Sequence, residues 1–578
     1  MIFAVGLLLV GCVDLDDHST ESEWLSLTDT EKACEEDMEM IIEEVGATEL
    51  TSARSPITLP KIYASGMVFQ RGKSINVRGF SENIASSVRV TLGEREGVCT
   101  VDPDGKWSVE LPAIHEAGIG NLLRIEEVGN PDSVISIGDV AIGEVWVMSG
   151  QSNAQLQVGY LEDVEELAAL AGTMSNIRYY RASASFSLEV DEIGSGAWYT
   201  SITPQLVRAT GNEGVSAVGY AAAVKLAAEL GPDVPVAVIH VARGASKIKA
   251  WLDDASLSAI SPSEMAKVNE HRASGDLPSN AHTQLGTVLY NKQIAPLDGY
   301  EVAGVMWYQG CGDVSGESLG AEGKSYTEYF TALEALYRRI FGNDSELPFY
   351  VMELAPYTEP SAGSANSLSE FKAEQYDFCR KLKNTYLVPI MTEGGTWCET
   401  IFSQGFIHPS RKSPVGYYTA DMILANEYGI VSAEVYKYPE ILSVRVSGSA
   451  VMITFDSEIK LMLGDEPMGF ELCLPQRGWV KASAVIDGST VTVSAAGGGV
   501  PTDVRYGFSA ITAELADGTT VSFYSGEATI NDAQRTITIT KDGEVYVIGS
   551  AEDCVRMMNV GNITNASGVP LPVFSLGV

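Results

Sequence analysis

The chain has 578 residues, 45% of them hydrophobic and 20% charged, which is a globular composition too large for one ordinary core. With 76 acidic against 38 basic residues the formal net charge is −38. That excludes a nucleic-acid binder, whose phosphates have to be met by Lys and Arg. Six histidines spread over the whole length argue against a His-rich metal site.

In chain order, the first segment is MIFAVGLLLVGC, residues 1–12, an apolar run too short to span a bilayer as a helix. It resembles a bacterial lipoprotein signal. The resemblance implies lipidation at Cys12, an N-terminal lipid anchor as the route to a membrane, and a place in the cell envelope as an outer-membrane lipoprotein, surface-exposed or periplasmic. Residues 13–55 are acidic and polar and read as a tether, with one helix from about Thr28 to Glu44. The seven other cysteines, Cys34, Cys99, Cys311, Cys379, Cys398, Cys473 and Cys554, are scattered and contain no CxxC, so they read as small apolar residues.

Residues 56–140 change to short alternating strands, INVRGF, SVRVTLG, GKWSVELP and SVISIGDVAI, separated by turn residues; this predicts an all-β sandwich domain. Over 141–435 apolar strands alternate with helices. GEVWVMSG, VPVAVIHVA, EVAGVMWYQG, LPFYVMELAP and TYLVPIM predict buried parallel strands, and GYAAAVKLAAEL and YTEYFTALEALYRRIFG predict helices. That rhythm predicts a doubly wound α/β sheet, with its chemistry outside the carboxyl ends of the strands. Residues 436–578 return to short strands and form a C-terminal β-domain. Within it about 511–564 read as inserted hairpins with Asp-Gly turns.

Four strand ends of the middle domain carry polar residues or glycine. They are Ser152 after VWVMSGQ, Gly244 in VIHVARGASKIKAW, Gln309-Gly310 in GVMWYQGCGD, and His408 in GFIHPSRK. A serine hydroxyl becomes a useful nucleophile when an imidazole takes its proton. A tetrahedral oxyanion needs N–H donors already converged on it, and a glycine main chain or a primary amide supplies them.

These blocks resemble the sialate O-acetylesterases, a family of the SGNH hydrolase fold. LPKIYASGMVFQRGKSINVRGF is similar to the family's opening β-domain signature and GEVWVMSGQSN to its nucleophile block. SAVGYAAAVKLAAELGPDVPVAVIHVARGASKIKAW, LYNKQIAPLDGYEVAGVMWYQG, LPFYVMELAPY and FIHP match further blocks. The resemblance implies a three-layer α/β domain with a flavodoxin-like parallel sheet, flanked by β-sandwich domains. It implies Ser152 as nucleophile, His408 as general base, and an oxyanion hole from the N–H groups of Ser152 and Gly244 with the Gln309 amide. Gln151, Asn153, Cys311 and Asp313 would line the site. No metal or organic cofactor is implied. The substrate would be an acetylated sialic acid or another acetylated glycan.

Two departures stand against the family pattern. The aspartate expected two or three residues before the histidine is replaced by Phe406 and Gly405. The block usually written Gln-Gly-Glu-Ser-Asn runs Gln309-Gly310-Cys311-Gly312-Asp313. Losing the orienting acid of a serine triad lowers kcat by about 10⁴. Glu393, Glu399 or a main-chain carbonyl of the preceding loop are the candidates for holding the imidazole instead. The alternatives to an active esterase are a degenerate member that keeps the cleft as a surface glycan-binding lipoprotein, and a scaffold whose β-domains bind.

Overall fold

The computed structural model describes residues 56–578, apart from 212, 315–318, 343–345, 356–366, 391–407, 410, 433–435, 463–464, 509, 525–527, 532–535, 542, 549–553 and 560. Cys12, the tether 13–55, Glu393, Glu399, Gly405 and Phe406 lie outside the described residues.

One strand organises the first two thirds of the protein. β1 (Ile135–Gly150) is 16 residues long and is buried almost continuously from Val140 onward. The sequence suggests two strands, SVISIGDVAI and GEVWVMSG, with a domain boundary at 140/141, yet the chain stays extended through Gly143 where the two meet. The first half of β1 pairs antiparallel with Gly118–Glu127 and parallel with Val68–Gln70. Its second half is the middle of the central sheet. At the passage Gly143 touches the loop before the next parallel strand, where a Cβ would lie 2.1 Å from the Pro235 carbonyl oxygen. Glu144, the one carboxylate in the run, is 3% exposed; it accepts from Gln70 Nε2 at 2.8 Å and the Tyr428 hydroxyl at 2.7 Å, and pairs with Arg71. A buried charge survives because those partners replace its water.

The remaining strands of the sheet are β2 (Ile177–Ala182), β3 (Gly196–Tyr199), β4 (Val236–Ala242), β5 (Gly304–Tyr308), β6 (Phe349–Met352) and β7 (Thr385–Val388). Their order is β3-β2-β4-β1-β5-β6-β7, all parallel except β3 against β2. The five strands β4-β1-β5-β6-β7 follow the flavodoxin-like order 2-1-3-4-5, and β2 with β3 extends the sheet beyond β4. The chain order reverses beside β1, and there the carboxyl ends are level: Gly150 is in register with Ala242 of β4 and with Tyr308 of β5.

Helices α1 (Ser152–Gln155), α2 (Ala217–Leu230), α3 (Tyr326–Phe341) and α4 (Ser367–Lys381) lie between these strands in the chain, and α5 (Ser413–Ile423) follows β7. In α2 ten of the 14 residues are buried, which its alanine-rich, all-round apolar sequence requires. It packs on α5 at close range, since a Cβ on Gly416 would lie 2.6 Å from the Ala221 Cβ. A capping box of Ser325 and Glu328 starts α3.

Before β1, strands Ile75–Ser81, Ser87–Leu92 and Lys106–Leu111 bury alternate residues, Val77, Val88, Val90, Val109 and Leu111 among them. After residue 440 the chain forms two four-stranded antiparallel sheets and smaller ones. In the region of extra length, Ala510–Leu515 pairs with Thr520–Tyr524 through Asp517-Gly518, and Thr536–Lys541 pairs with Glu544–Ile548 ahead of Gly543. Gly518 and Gly543 have φ of +85° and +88°, the left-handed conformation those turns demand. Cys99, Cys379 and Cys473 are free thiols.

Gly150 is the position where the sheet makes its tightest demand. Its φ is +136°, and a Cβ there would lie 2.2 Å from the Tyr308 carbonyl oxygen. Gly150→Ala is expected to cost about 2 kcal/mol or more, as a combined strain and backbone-clash substitution. A urea unfolding midpoint equal to the wild type would refute this.

Candidate active site

Because β4, β1 and β5 end level, the residues just beyond them emerge together. Main-chain bonds fix the exits: Gln151 N donates to Tyr308 O at 3.0 Å and Arg243 N to Gly150 O at 3.0 Å. Ser152 opens α1 directly after the Gly150 turn and is half-buried. As first residue of the helix its N–H has no intrahelical acceptor. His408 arrives from the other end of the domain, 256 residues away, and its Nε2 lies 2.7 Å from Ser152 Oγ. The structure therefore brings together the serine and the histidine singled out in the sequence.

The imidazole is held on one side only. His408 Nδ1 is buried with no hydrogen-bond partner among the described residues. Burial, and after it the positive charge of Lys412, pushes the His408 pKa down to about 3. The ring is neutral in ordinary buffers and so able to accept a proton at the nitrogen facing Ser152.

Gly244 stands against the serine, with a hypothetical Cβ 3.7 Å from Ser152 Cβ. Its N–H donates to Gln155 Oε1 at 2.6 Å. The next residue, Ala245, has φ +57°, an unusual conformation for a non-glycine that turns the chain away from the strand end.

Gln309 requires a correction. Its side chain was expected to offer an oxyanion donor, but it is fully buried and its Nε2 donates to Ser246 O at 3.0 Å and Asp313 Oδ2 at 2.6 Å. A primary amide has two N–H donors, and both are used. Its Oε1 accepts from the Tyr326 hydroxyl at 2.7 Å. Gln309 is thus a strut between the loops after β4 and β5. Asp313 shares that work, since its Oδ2 also accepts from Ile248 N at 3.0 Å. Gln151, 2% exposed, turns its Oε1 to Gly310 N at 2.9 Å and Gly312 N at 3.2 Å, clasping Cys311 between them. Cys311 is 8% exposed.

Asn153 is buried and its Oδ1 accepts from Lys412 Nζ at 2.6 Å, tying the serine helix to the histidine segment. Lys412 and its partner Asp163 were not singled out in the sequence. Asp163 sits at the N-cap position of the helix Val164–Leu170 yet makes no side-chain cap bond there. Its Oδ2 accepts instead from Lys412 N at 2.8 Å and Ser413 N at 2.6 Å, satisfying the start of α5 and fixing the chain just after His408. A spacing of four residues from His408 to the start of an apolar helix was the available signal for Lys412. For Asp163 the sequence carried no signal of this role, because the main-chain donors it meets lie 249 and 250 residues away.

Among the described residues no group of three or more His, Cys, Asp or Glu side chains is placed to hold a metal ion. The site is a hydroxyl, an imidazole and main-chain N–H groups at the switch point of a parallel sheet, the equipment for acyl transfer.

Asp313→Ala would strand two buried donors, Ile248 N–H and Gln309 Nε2. A loss of about 2–4 kcal/mol is expected from leaving them unpaired, measured by chemical denaturation. Asp313→Asn, which keeps an acceptor, should lose less; equal losses would show that charge and not hydrogen bonding is what matters there.

The chain is similar to several known proteins. Residues 142–392 match the family described as carbohydrate esterase, sialic acid-specific acetylesterase. The sialate O-acetylesterase of Mus musculus is 24% identical over 402 residues, covering 63% of this chain and 71% of the mouse protein. That of Homo sapiens is 24% identical over 325 residues, covering 54% of this chain and 58% of the human one. A crystal structure of a carbohydrate acetylesterase from Xanthomonas citri superposes with a TM-score of 0.67 at 25% identity, over 90% of this chain and 99% of that one. The central α/β domain is thus similar to the sialic acid-specific acetylesterase family of carbohydrate esterases, whose members hydrolyse carboxylic esters.

Proposed function

We propose that the protein removes acetyl groups from sialic acid or another acetylated glycan through a serine acetyl-enzyme. The observation that carries this reading is the 2.7 Å contact of Ser152 Oγ with His408 Nε2 at the switch point of the sheet. Ser152 Oγ attacks the acetyl carbonyl carbon as its proton passes to His408 Nε2. The carbonyl oxygen takes the negative charge and is met by the N–H groups of Ser152 and Gly244. Collapse expels the sugar oxygen, which takes the proton back from His408, and leaves acetyl on Ser152. A water deprotonated by His408 then releases acetate. An envelope location through a lipid on Cys12 would put this activity where external glycans arrive.

The base is weaker than usual. With its pKa near 3, His408 holds a proton roughly three orders of magnitude less tightly than a free imidazole, so imidazolium formation in the transition state is opposed. Wild-type turnover should accordingly be low for a serine esterase. A second reading, glycan binding with residual turnover, draws on the Nδ1 of His408, which has no hydrogen-bond partner among the described residues. Restoring the family's acid by Phe406→Asp separates the two. A rise of tenfold or more would favour the second reading, and no change would favour an imidazole already held well enough.

Hydrolysis of p-nitrophenyl acetate is the direct test, with Ser152→Ala expected to lose roughly 10³-fold or more in kcat. Activity unchanged in Ser152→Ala would end the proposal. The pH profile supplies an independent check. A depressed histidine pKa means the neutral form persists down to about pH 3, so kcat/KM should show no fall between pH 8 and 5. Lys412→Met removes a cation that disfavours the imidazolium, which raises the His408 pKa and moves the acid limb upward. A wild-type limb already near pH 6.5 would contradict the environment described for the ring.

A further inference from the structure

The donor that the proposed chemistry most needs is already engaged. Gly244 N–H points at Gln155 Oε1 over 2.6 Å, just short of the range expected for an oxyanion. Ser152 and Gln155 are the first and last residues of α1, three apart and so on one helix face. The acceptor lies beside the nucleophile: a Cβ on Gly244 would be 3.1 Å from Gln155 Oε1 and 3.7 Å from Ser152 Cβ. A primary amide carbonyl also has the polarity and size of an acetyl carbonyl. Gln155 is half-buried, unlike its fully buried neighbours Asn153 and Ala154, which leaves its side chain room to rotate outward.

We propose that Gln155 guards the acyl subsite: its amide oxygen occupies the oxyanion position against Gly244 N–H, and an acetyl carbonyl binds by displacing it. The inference rests on the hydrolase reading above and goes beyond it, because it makes the resting site a self-occupied one. The population with Gln155 swung out is the binding-competent one, and the apparent affinity for ester is reduced by that fraction. Removing the amide oxygen therefore strengthens substrate capture without altering the Ser152–His408 pair. One hydrogen bond of ordinary net strength corresponds to about a threefold to tenfold change.

The test is labelling of the full chain by an alkyl fluorophosphonate, in which Ser152 Oγ bonds phosphorus, fluoride leaves and the serine proton passes to His408. Gln155→Ala should label threefold to tenfold faster than wild type, with the mass increase on Ser152. Steady-state hydrolysis of p-nitrophenyl acetate should show a lower KM and a kcat within about twofold. Gln155→Met fills the same volume without an acceptor and should behave likewise, and it carries the test if the alanine variant does not fold. Gln155→Glu, a stronger acceptor, should label more slowly than wild type. Equal rates in wild type, Gln155→Ala and Gln155→Met would overturn the guard while leaving the esterase reading intact. Slower labelling in the alanine and methionine variants would make Gln155 a helper and also overturn it. No labelling of any form would remove the reactive serine, and both proposals with it.

Discussion

The site depends on how closely three parallel strands can end together. Gly150 approaches the main chain of Tyr308 so tightly that a methyl group would lie 2.2 Å from its carbonyl oxygen. That approach lets Gln151 N bond to Tyr308 O and Arg243 N to Gly150 O, which sets the directions of all three following loops. Buried amides then lock the directions. Gln151 reaches across to the β5 loop, and Gln309 reaches back to the β4 loop. Neither side chain needs to touch substrate to matter: a nucleophile and donors held within tenths of an ångström are what preorganisation consists of.

A tension runs through the electrostatics. Lys412 holds the serine helix through Asn153 and lies with its Nζ 5.7 Å from the centre of the Tyr308 ring, while Asp163 fixes the main chain of Lys412 and Ser413. On the proposed mechanism the same ammonium that aligns Ser152 with His408 opposes the positive charge the imidazole would carry when it works. In a full triad an aspartate offsets such a penalty. On the proposed mechanism the geometry favours proton transfer and the field resists it, and the balance between them would decide turnover.

Much of this was legible in the sequence, for physical reasons that differ by residue. The parallel strands stand out because burial on both faces makes VWVM, VAVIHVA and GVMWYQ continuous apolar runs. Ser152, Gly244 and His408 stand out as polar or flexible residues where those runs or the chain's motifs stop. The passage of β1 through the expected boundary at 140/141 was not legible, since a strand shared between two sheets has the same local pattern as two strands. The role of Gln309 was misread because strand-end position says where an amide lies and nothing about which acceptors surround it. Asp163 was hidden for the complementary reason: a local cap signal and a long-range cap to α5 look identical in one dimension.

The loop after β5 shows how a departure from family pattern can be absorbed. Asp313 stands where the family usually has asparagine, yet the position still works as an acceptor, taking Ile248 N–H and Gln309 Nε2 on one oxygen. That bond is part of what commits the Gln309 amide to the interior. Once committed, the loop supplies stiffness and no side-chain donor from Gln309. In the proposed reaction the stabilisation of an oxyanion would then fall on main-chain N–H groups at Ser152 and Gly244. Main-chain donors cannot be tuned by substitution, but their availability can be, by whatever side chain sits in front of them. Gln155, one helical turn from the nucleophile, is the side chain in front of Gly244. The commitment of the Gln309 amide in one loop thus raises the influence of an acceptor in another, although Gln309 and Gln155 lie 154 positions apart.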